Sequence, residues 1–339
     1  MKGIGVWIAV IAGAALVAWL GAQALLATPP ATPGDSPVTI RVAKGEGLAP
    51  VARRLEEEGL VVSARRFRLL ARLTGRDRAI RAGTYEFLPG LDPRDLLARL
   101  EEGKVRLLRL TVPEGRRLLD IAKDVESALG VPAEEVIAAA SDPARVTGVG
   151  ARGENLEGYL FPETYFFEDG VSAGDVVDGM VARFEAEWGE LADLPQPEGL
   201  DRHDVVTLAS IVEAETPLAD EKPRVAAVYL NRLHRGMRLQ ADPTVRYGIG
   251  RFDGRLYYKH LDIESAYNTY QNQGLPPGPI GSPGRAALRA VLEPLTPCDD
   301  LYFVASGNGG HVFSRTKAEH DRAVAEARKR RDAAARDSG

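Results

Sequence analysis

Two carboxylates stand two residues apart near the end of an apolar run, in the stretch LASIVEAETP at Leu208–Pro217. If Asp204 caps the start of a helix, a projection at about 100° per residue places Glu215 within its apolar stripe and Glu213 on the opposite side. Proline disfavours helical backbone at the preceding residue, so Pro217 predicts that Glu215 lies in the final turn. The sequence therefore predicts that only Glu215 is drawn towards the apolar interior.

This position would suit Glu215 to acid–base chemistry. Partial burial and the negative end of the helix dipole both disfavour the ionised carboxylate, so both raise its pKa. A carboxyl group that stays protonated near neutral pH is what a general acid requires. The alternative is an ordinary surface or ion-paired glutamate at a helix end, and the projection alone does not separate the two.

Composition excludes several classes of site. The chain has 339 residues, of which 45% are hydrophobic and 27% charged, enough for two or more compact units. The net charge of -5, without basic clusters among aromatics, gives no nucleic-acid-binding signature. Cys298 is the only cysteine, which excludes an internal disulfide and disfavours a thiolate zinc site. The five histidines show no H-E-x-x-H spacing, so we expect no metal ion and no cofactor.

The N-terminus carries a long apolar stretch. Residues 3–22 contain no charge, and the apolar run continues past Gln23 to Ala27. Twenty helical residues cover the roughly 30 Å hydrocarbon core of a bilayer, so we expect a single-pass anchor in the cytoplasmic membrane. A cleaved signal peptide, with Ala22–Ala24 as its cleavage site, is the alternative. Lys2 is the only basic residue before the span, which favours an extracytoplasmic body.

The remainder divides by composition and pattern. A Pro-rich linker is followed by two copies of a strand, a glycine turn and a helix, offset by 70 residues. Gly-, Pro-, Asn- and Tyr-rich loops then concentrate in the C-terminal half, where such loops commonly line a site. We predict an α+β fold with these divisions: 1–27, anchor; 28–38, linker; 39–110, a small module; 111–325, a larger mixed α+β domain; 326–339, a charged tail.

Six ordered motifs connect the C-terminal half to a known family. They are ASIVEAET, VYLNRL, GMRLQADPTVRYG, AYNTY, GLPPGPIGSPG and LYFVASGNGGHVFS. In this order they resemble the YceG-like family of membrane-anchored endolytic lytic transglycosylases that act on bacterial peptidoglycan. The resemblance covers residues 39 to the C-terminus. Its N-terminal part matches mainly in architecture.

The resemblance implies a function and a catalytic residue. The family cleaves glycan strands internally between N-acetylmuramic acid and N-acetylglucosamine, leaving 1,6-anhydro-muramyl ends, which ends strand elongation. The second glutamate of its E-x-E-T motif is catalytic, and here that position is Glu215. The resemblance also implies a LysM-like peptidoglycan-binding module at 39–110 and contact with cell-wall synthases, although no docking motif for them is recognisable.

Other side chains on the loops are candidates for the site. Glu163 and Asp242 are the candidates for a second carboxylate near Glu215, and the alternative for each is a structural hydrogen-bond acceptor in a turn. Candidate substrate contacts, which are polar or aromatic groups suited to N-acetyl groups and sugar faces, are Gln240, Asp242, Tyr247, Asn268, Tyr270 and His311. For each, local loop packing is the alternative, and His311 could instead brace the fold around Glu215.

Two other functions remain open on the sequence. A hydrolytic muramidase would cut the same bond but needs a positioned water and a working second carboxylate. A membrane-anchored scaffold would bind peptidoglycan without cleaving it. Glu215 within its full motif favours the enzyme.

Overall fold

The computed structural model describes residues 13, 16, 19, 21, 23–29, 36–43, 45–103, 107–250, 256–307 and 309–337, with side chains as far as residue 330. The chain forms two compact units, Met1–Leu108 with Phe166–Val171, and Arg109–Tyr165 with Ser172–Gly339. Helices and short strands occur in both, so the predicted mixed α+β architecture is confirmed.

The first unit packs three helices on a two-stranded sheet. Strand β1 (Val38–Val42) pairs antiparallel with β2 (Gly83–Phe87), with Val38 opposite Phe87. The helices are α1 (Leu48–Glu57), α2 (Ala64–Leu73) and α3 (Pro93–Glu102). Their apolar faces meet in a core that includes Val51, Leu55, Phe67, Phe87, Leu97 and Leu100.

Helix α3 is bounded by an aspartate at its start and a glycine at its end. The Asp92 carboxylate accepts a hydrogen bond of 2.8 Å from the Arg94 N–H at the helix start. Gly103 follows the last turn at φ 70°, a conformation that glycine adopts without steric cost.

The two predicted strand–glycine–helix copies both form. The first is β1, Gly45 and α1, and the second is β3 (Leu107–Thr111), Gly115 and α4 (Leu118–Leu129). Both glycines have positive φ, 79° and 74°, where the chain turns from strand to helix. The repeat therefore corresponds to a shared local structure.

The second unit is mainly helical. After α4 the chain continues through α5 (Ala133–Ala140), α6 (Pro143–Gly148), β4 (Thr164–Glu168), α7 (Ala173–Leu191), α8 (Arg202–Glu215), α9 (Lys222–His234), α10 (Asp242–Gly248), α11 (Tyr258–Leu261), α12 (Arg285–Leu292), β5 (Tyr302–Ala305), β6 (His311–Ser314) and α13 (Lys317–Asp337). Strands β3 and β4 form one two-stranded sheet, and β5 pairs antiparallel with β6 under α13. Helix α8 packs against α9, α10 and α12 and so occupies the centre of the unit.

The start of α8 differs from the prediction. Asp201, not Asp204, is the N-cap, and its carboxylate accepts a 3.0 Å hydrogen bond from the Asp204 N–H. Asp204 is the third helical residue, and its carboxylate accepts from the Asp201 N–H at 3.1 Å. Both aspartates therefore satisfy free N–H groups of the first turn in a reciprocal capping box.

The end of α8 lies where Pro217 predicts it. Glu215 is the last helical residue, and Thr216 has extended backbone at φ -141° and ψ 131°. The prediction that only Glu215 is drawn towards the interior is wrong, because every residue from Val205 to Val212 is buried and the Glu213 side chain is only 7% exposed. Neighbouring helices cover α8 all round, so its faces do not divide into an apolar and a solvated half.

Among the residues that the structure describes, no helix combines the length and the apolar character needed to cross a bilayer. Most of the anchor predicted at residues 3–27 lies outside the described residues.

Candidate active site

Glu215 lies at the end of α8 with its carboxyl group against α9. Its Oε1 atom accepts a 2.7 Å hydrogen bond from the hydroxyl of Tyr229, a buried residue of α9. Burial raises the pKa of Glu215 to about 7, although the Tyr229 hydrogen bond opposes the rise and the negative charge of Asp242 adds to it. A raised pKa favours the protonated form of the carboxyl group near neutral pH, as a general acid needs.

A cavity of about 370 Å³ opens over Glu215. Its lining combines acidic, basic, aromatic and apolar groups: Gly115, Arg117, Ala214, Glu215, Asp242, Pro243, Arg246, Tyr247 and Ile280. Two loops and two helices, α8 and α10, of the second unit supply them. A concave, mixed surface around one protonated carboxyl group is typical of a site for a polar organic substrate.

Asp242 lies at the first position of α10 and lines this cavity together with Glu215. Its Oδ1 accepts a 2.7 Å hydrogen bond from the hydroxyl of Tyr270. A second cavity of about 250 Å³ is also lined by Asp242 and Tyr270, and its other lining residues are Leu256, Tyr257, Tyr258 and Leu261. The two cavities therefore share Asp242, which the sequence placed among the candidates.

Glu163, the other predicted second carboxylate, lies elsewhere. It is paired with Arg183 at 3.2 Å, and its Oε1 accepts from the Thr164 N–H. It is not among the residues that line the cavity over Glu215. Of the two candidates, the structure brings only Asp242 to Glu215.

Tyr247 lines the cavity, and its hydroxyl group is hydrogen-bonded to a buried glutamate, Glu157. Its hydroxyl donates to Glu157 Oε2 at 3.0 Å, and Glu157 Oε1 accepts from the Leu118 N–H at 2.9 Å. Burial raises the pKa of Glu157 to about 7, against the effect of both hydrogen bonds. Sequence reasoning missed Glu157, although its place in the aromatic stretch NLEGYLFPETY was an available signal.

Gln240 precedes Asp242 by two residues and has an unusual backbone. Its φ is +50°, the one positive value at a non-glycine residue among those described, and its side chain is exposed. The Gln240 N–H donates to the Thr269 carbonyl at 3.2 Å, which ties this turn to the neighbouring loop. A left-handed residue of this kind costs about 1 kcal/mol and is often found at functional sites.

Asn268 lies inside its loop and does not line either cavity. Its Nδ2 donates to the carbonyls of Leu261 and Ile263 at 2.9 and 2.8 Å, and its Oδ1 accepts from the Tyr270 N–H at 3.0 Å. The predicted substrate contact is thus placed where it shapes the loop and positions Tyr270.

His311 lies on β6 and reaches the end of α8 indirectly. Its N–H and Nδ1 contact the two oxygens of Glu221 at 2.9 and 2.8 Å. The same carboxylate accepts from the Thr216 hydroxyl at 3.3 Å, directly after Glu215. Of the two roles predicted for His311, this geometry matches the bracing role.

Glu213 belongs to a separate buried ion pair. Its Oε1 lies 2.7 Å from the Lys222 Nζ, and its Oε2 accepts from the Gly284 N–H at 3.2 Å. The two side chains are 7% and 3% exposed, so the pair is almost fully dehydrated. Glu213 therefore connects α8 to α9 and α12, while Glu215 faces the cavity.

Sequence reasoning also missed Tyr229, Arg117 and Arg246. Tyr229 was indistinguishable from a core aromatic, because its polar contact comes from a residue 14 positions away, on the preceding helix.

Within the part of the chain that the structure describes, no group of three His, Cys, Asp or Glu side chains could hold a metal ion.

Comparison with known proteins agrees with this site. The profile of the YceG-like family matches residues 40–326. The chain is 32% identical to the endolytic murein transglycosylase of Bacillus subtilis (strain 168), covering 84% of this chain and 83% of that protein. It is 30% identical to the endolytic murein transglycosylase of Streptococcus pneumoniae serotype 2 (strain D39 / NCTC 7466), covering 85% of this chain but 58% of that protein.

A solved structure is similar throughout its length. The crystal structure of a yceG-like protein from Listeria monocytogenes has 30% sequence identity and a TM-score of 0.59, covering 85% of this chain and 99% of that one. With the profile match over most of its length, this chain belongs to the YceG-like family.

Proposed function

We propose that this protein is an endolytic murein transglycosylase, a lyase that cuts peptidoglycan glycan strands between N-acetylmuramic acid and N-acetylglucosamine. The names of the relatives from Bacillus subtilis and Streptococcus pneumoniae support this function. The observation that carries it is Glu215, a carboxyl group with a pKa of about 7 at the base of a cavity. The products would be strands that end in 1,6-anhydro-N-acetylmuramic acid.

Glu215 would act first as an acid and then as a base. Its proton passes to the glycosidic oxygen as the bond to C1 of the muramyl residue breaks. The carboxylate then takes the proton of the C6 hydroxyl while that oxygen bonds to C1. The acid form is regenerated and no water is consumed. Because the nucleophile belongs to the substrate, proximity replaces the positioned water of a hydrolase.

Asp242 would assist this reaction electrostatically. Positive charge develops at C1 as the glycosidic bond breaks, and a nearby carboxylate stabilises such a centre. The charge of Asp242 also raises the pKa of Glu215, which favours the acid form. The Tyr270 hydrogen bond holds Asp242 in place at 2.7 Å.

The two adjoining cavities suit an internal stretch of a strand. One lies over Glu215 and the other beyond Asp242, lined by Tyr257, Tyr258 and Tyr270. Aromatic rings stack on the apolar faces of sugars, and their hydroxyls bond to polar edges. We infer that sugars on both sides of the broken bond are held, which favours cleavage within strands.

The pH dependence follows from the need for a protonated Glu215. We expect kcat/KM to fall as pH rises through about 7, because the acid form is then depleted. Tyr229→Phe removes the hydrogen bond that stabilises the ionised form, so the pKa of Glu215 should rise and the fall should move to higher pH. Rates on glycan strands across a pH series would measure both. If kcat/KM of Tyr229→Phe falls at the same pH as that of the native protein, or at a lower pH, the role of Tyr229 is contradicted.

The reaction type is tested on isolated glycan strands. We expect chain length to shorten throughout the population at early times, with each new end lighter by one water than a reducing end. New reducing ends would instead favour a hydrolytic muramidase. Binding of strands that remain uncut would favour a non-catalytic scaffold.

The remaining parts of the proposal concern location and binding. We propose that residues 3–27 anchor the protein in the cytoplasmic membrane, with the body outside, on the basis of their length and lack of charge. We further propose that residues 39–110 bind glycan as a LysM-like module, and that cell-wall synthases are partners. The strand–glycine–helix pattern of β1 and α1 supports the module.

A further inference from the structure

Helix α2 of the first unit has two different faces. One face buries Ala64, Phe67, Leu70 and Ala71 in the core of the unit. The other face, together with Val62 just before the helix, exposes a stripe of cationic and apolar side chains: Val62, Arg65, Arg66, Leu69, Arg72 and Leu73. Leu69 and Leu73 are 47% and 69% exposed, so neither contributes to the core of the unit.

The charge of α2 is entirely positive. The sequence ARRFRLLARL holds four arginines and no acidic residue. Among the described residues, Arg65, Arg68 and Arg72 form no ion pair with a carboxylate. Arginines interleaved with exposed leucines are typical of surfaces that lie in the interfacial region of an anionic bilayer.

The stripe lies beside the end of the N-terminal apolar stretch. The Arg66 guanidinium donates to the carbonyl of Ala24 at 3.4 Å, and Leu26 packs against the core of the same unit. If residues 3–27 cross the membrane, Ala24 lies at the bilayer surface. Arg66, and the stripe that continues from it along α2, must then lie there too.

We propose that the exposed face of α2 docks on the anionic phospholipid headgroups of the membrane that holds the anchor. The arginines bind lipid phosphates, for which the planar guanidinium is well suited, and the leucines enter the boundary with the acyl chains. This contact holds the first unit at the bilayer surface instead of leaving it free on its linker. The inference rests on the proposed membrane anchor and is independent of the proposed reaction.

The test uses the full chain in vesicles, with a fluorophore on a single cysteine. In a Cys298→Ser background, Leu69→Cys places the label on α2, and Leu119→Cys places a control label at an exposed position of α4. Vesicles of phosphatidylcholine alone are compared with vesicles that also contain phosphatidylglycerol. With phosphatidylglycerol we expect quenching by aqueous acrylamide to fall at least about threefold at position 69. At position 119 it should be unchanged.

Charge reversal supplies the matched control. Arg65→Glu with Arg72→Glu should abolish the protection of the label at position 69. Arg322→Glu with Arg328→Glu, two exposed arginines of α13, should leave it intact. Protection that survives the reversal on α2 would overturn the proposal.

The remaining outcomes separate docking from anchoring. A chain that floats with both kinds of vesicle but shows no lipid-dependent protection would refute docking and leave the anchor standing. A chain that fails to float with phosphatidylcholine vesicles would refute both. Equal protection by a soluble polyanion, added to phosphatidylcholine vesicles, would show that α2 binds polyanions and not the lipid surface.

Discussion

Glu215→Gln is expected to lower kcat/KM by at least about a hundredfold, because general acid–base catalysis typically contributes 10²- to 10⁴-fold. Glutamine keeps the shape of the side chain and its hydrogen bond with Tyr229, but it has no proton to give and retake. Folding should be unaffected or slightly improved, since an ionisable carboxyl group is removed from a partly buried position. Rates on defined glycan strands, together with thermal unfolding, would measure both effects.

Glu163→Gln is the matched control for this variant. It makes the same chemical change in the same unit, on a carboxylate that is paired with Arg183 and does not line the cavity. We expect nearly unchanged rates. An active Glu215→Gln protein, or equal losses in the two variants, would remove Glu215 from the mechanism.

Glu213→Gln is expected to act on stability instead. The substitution leaves the buried ammonium group of Lys222 without its 2.7 Å partner, and breaking a buried pair costs about 3–5 kcal/mol. We expect the lower end, about 3 kcal/mol, because Glu114 Oε2 lies 3.8 Å from the same Nζ. Denaturant unfolding would measure the loss. The kcat/KM of the remaining folded protein should change roughly tenfold at most.

Removing both charges tests the reason for that loss. Glu213→Gln combined with Lys222→Met leaves no unpaired buried charge, so much of the stability should return. A double variant as unstable as the single one would show that the ion pair is not the cause. A catalytic loss as large as that of Glu215→Gln would contradict the division of roles between the two glutamates.

Local sequence rules correctly predicted where α8 ends, but they misassigned its N-cap and the face that carries Glu213. Pro217 acts on the adjacent residue, so the last turn and the place of Glu215 follow from the sequence. The N-cap was misassigned because Asp201 and Asp204 are both suitable, and only their reciprocal hydrogen bonds distinguish them. Glu213 was misplaced because the projection assumes that one side of a helix meets water. Helix α8 has neighbours on every side.

Site residues that lie within one sequence motif were predictable, whereas those that depend on contacts between distant parts of the chain were not. Asp242 and Tyr247 stand in the stretch QADPTVRYG and line the cavity. Glu157 and Tyr247 are 90 residues apart in the sequence, so no local sequence pattern indicates that their side chains are hydrogen-bonded. Asn268 has the right chemistry for a substrate contact, but its hydrogen bonds are used inside its own loop.

The most direct measurement of the proposed mechanism is the fate of solvent oxygen at the new chain ends. Glycan strands would be digested in oxygen-18 water by the native protein and by Glu215→Gln, and the ends counted by mass. We predict anhydro ends without label from the native protein, because the C6 hydroxyl of the substrate is the nucleophile, and almost none from the variant. Labelled reducing ends from the native protein, or unlabelled anhydro ends formed at equal rates by both proteins, would contradict the proposed mechanism.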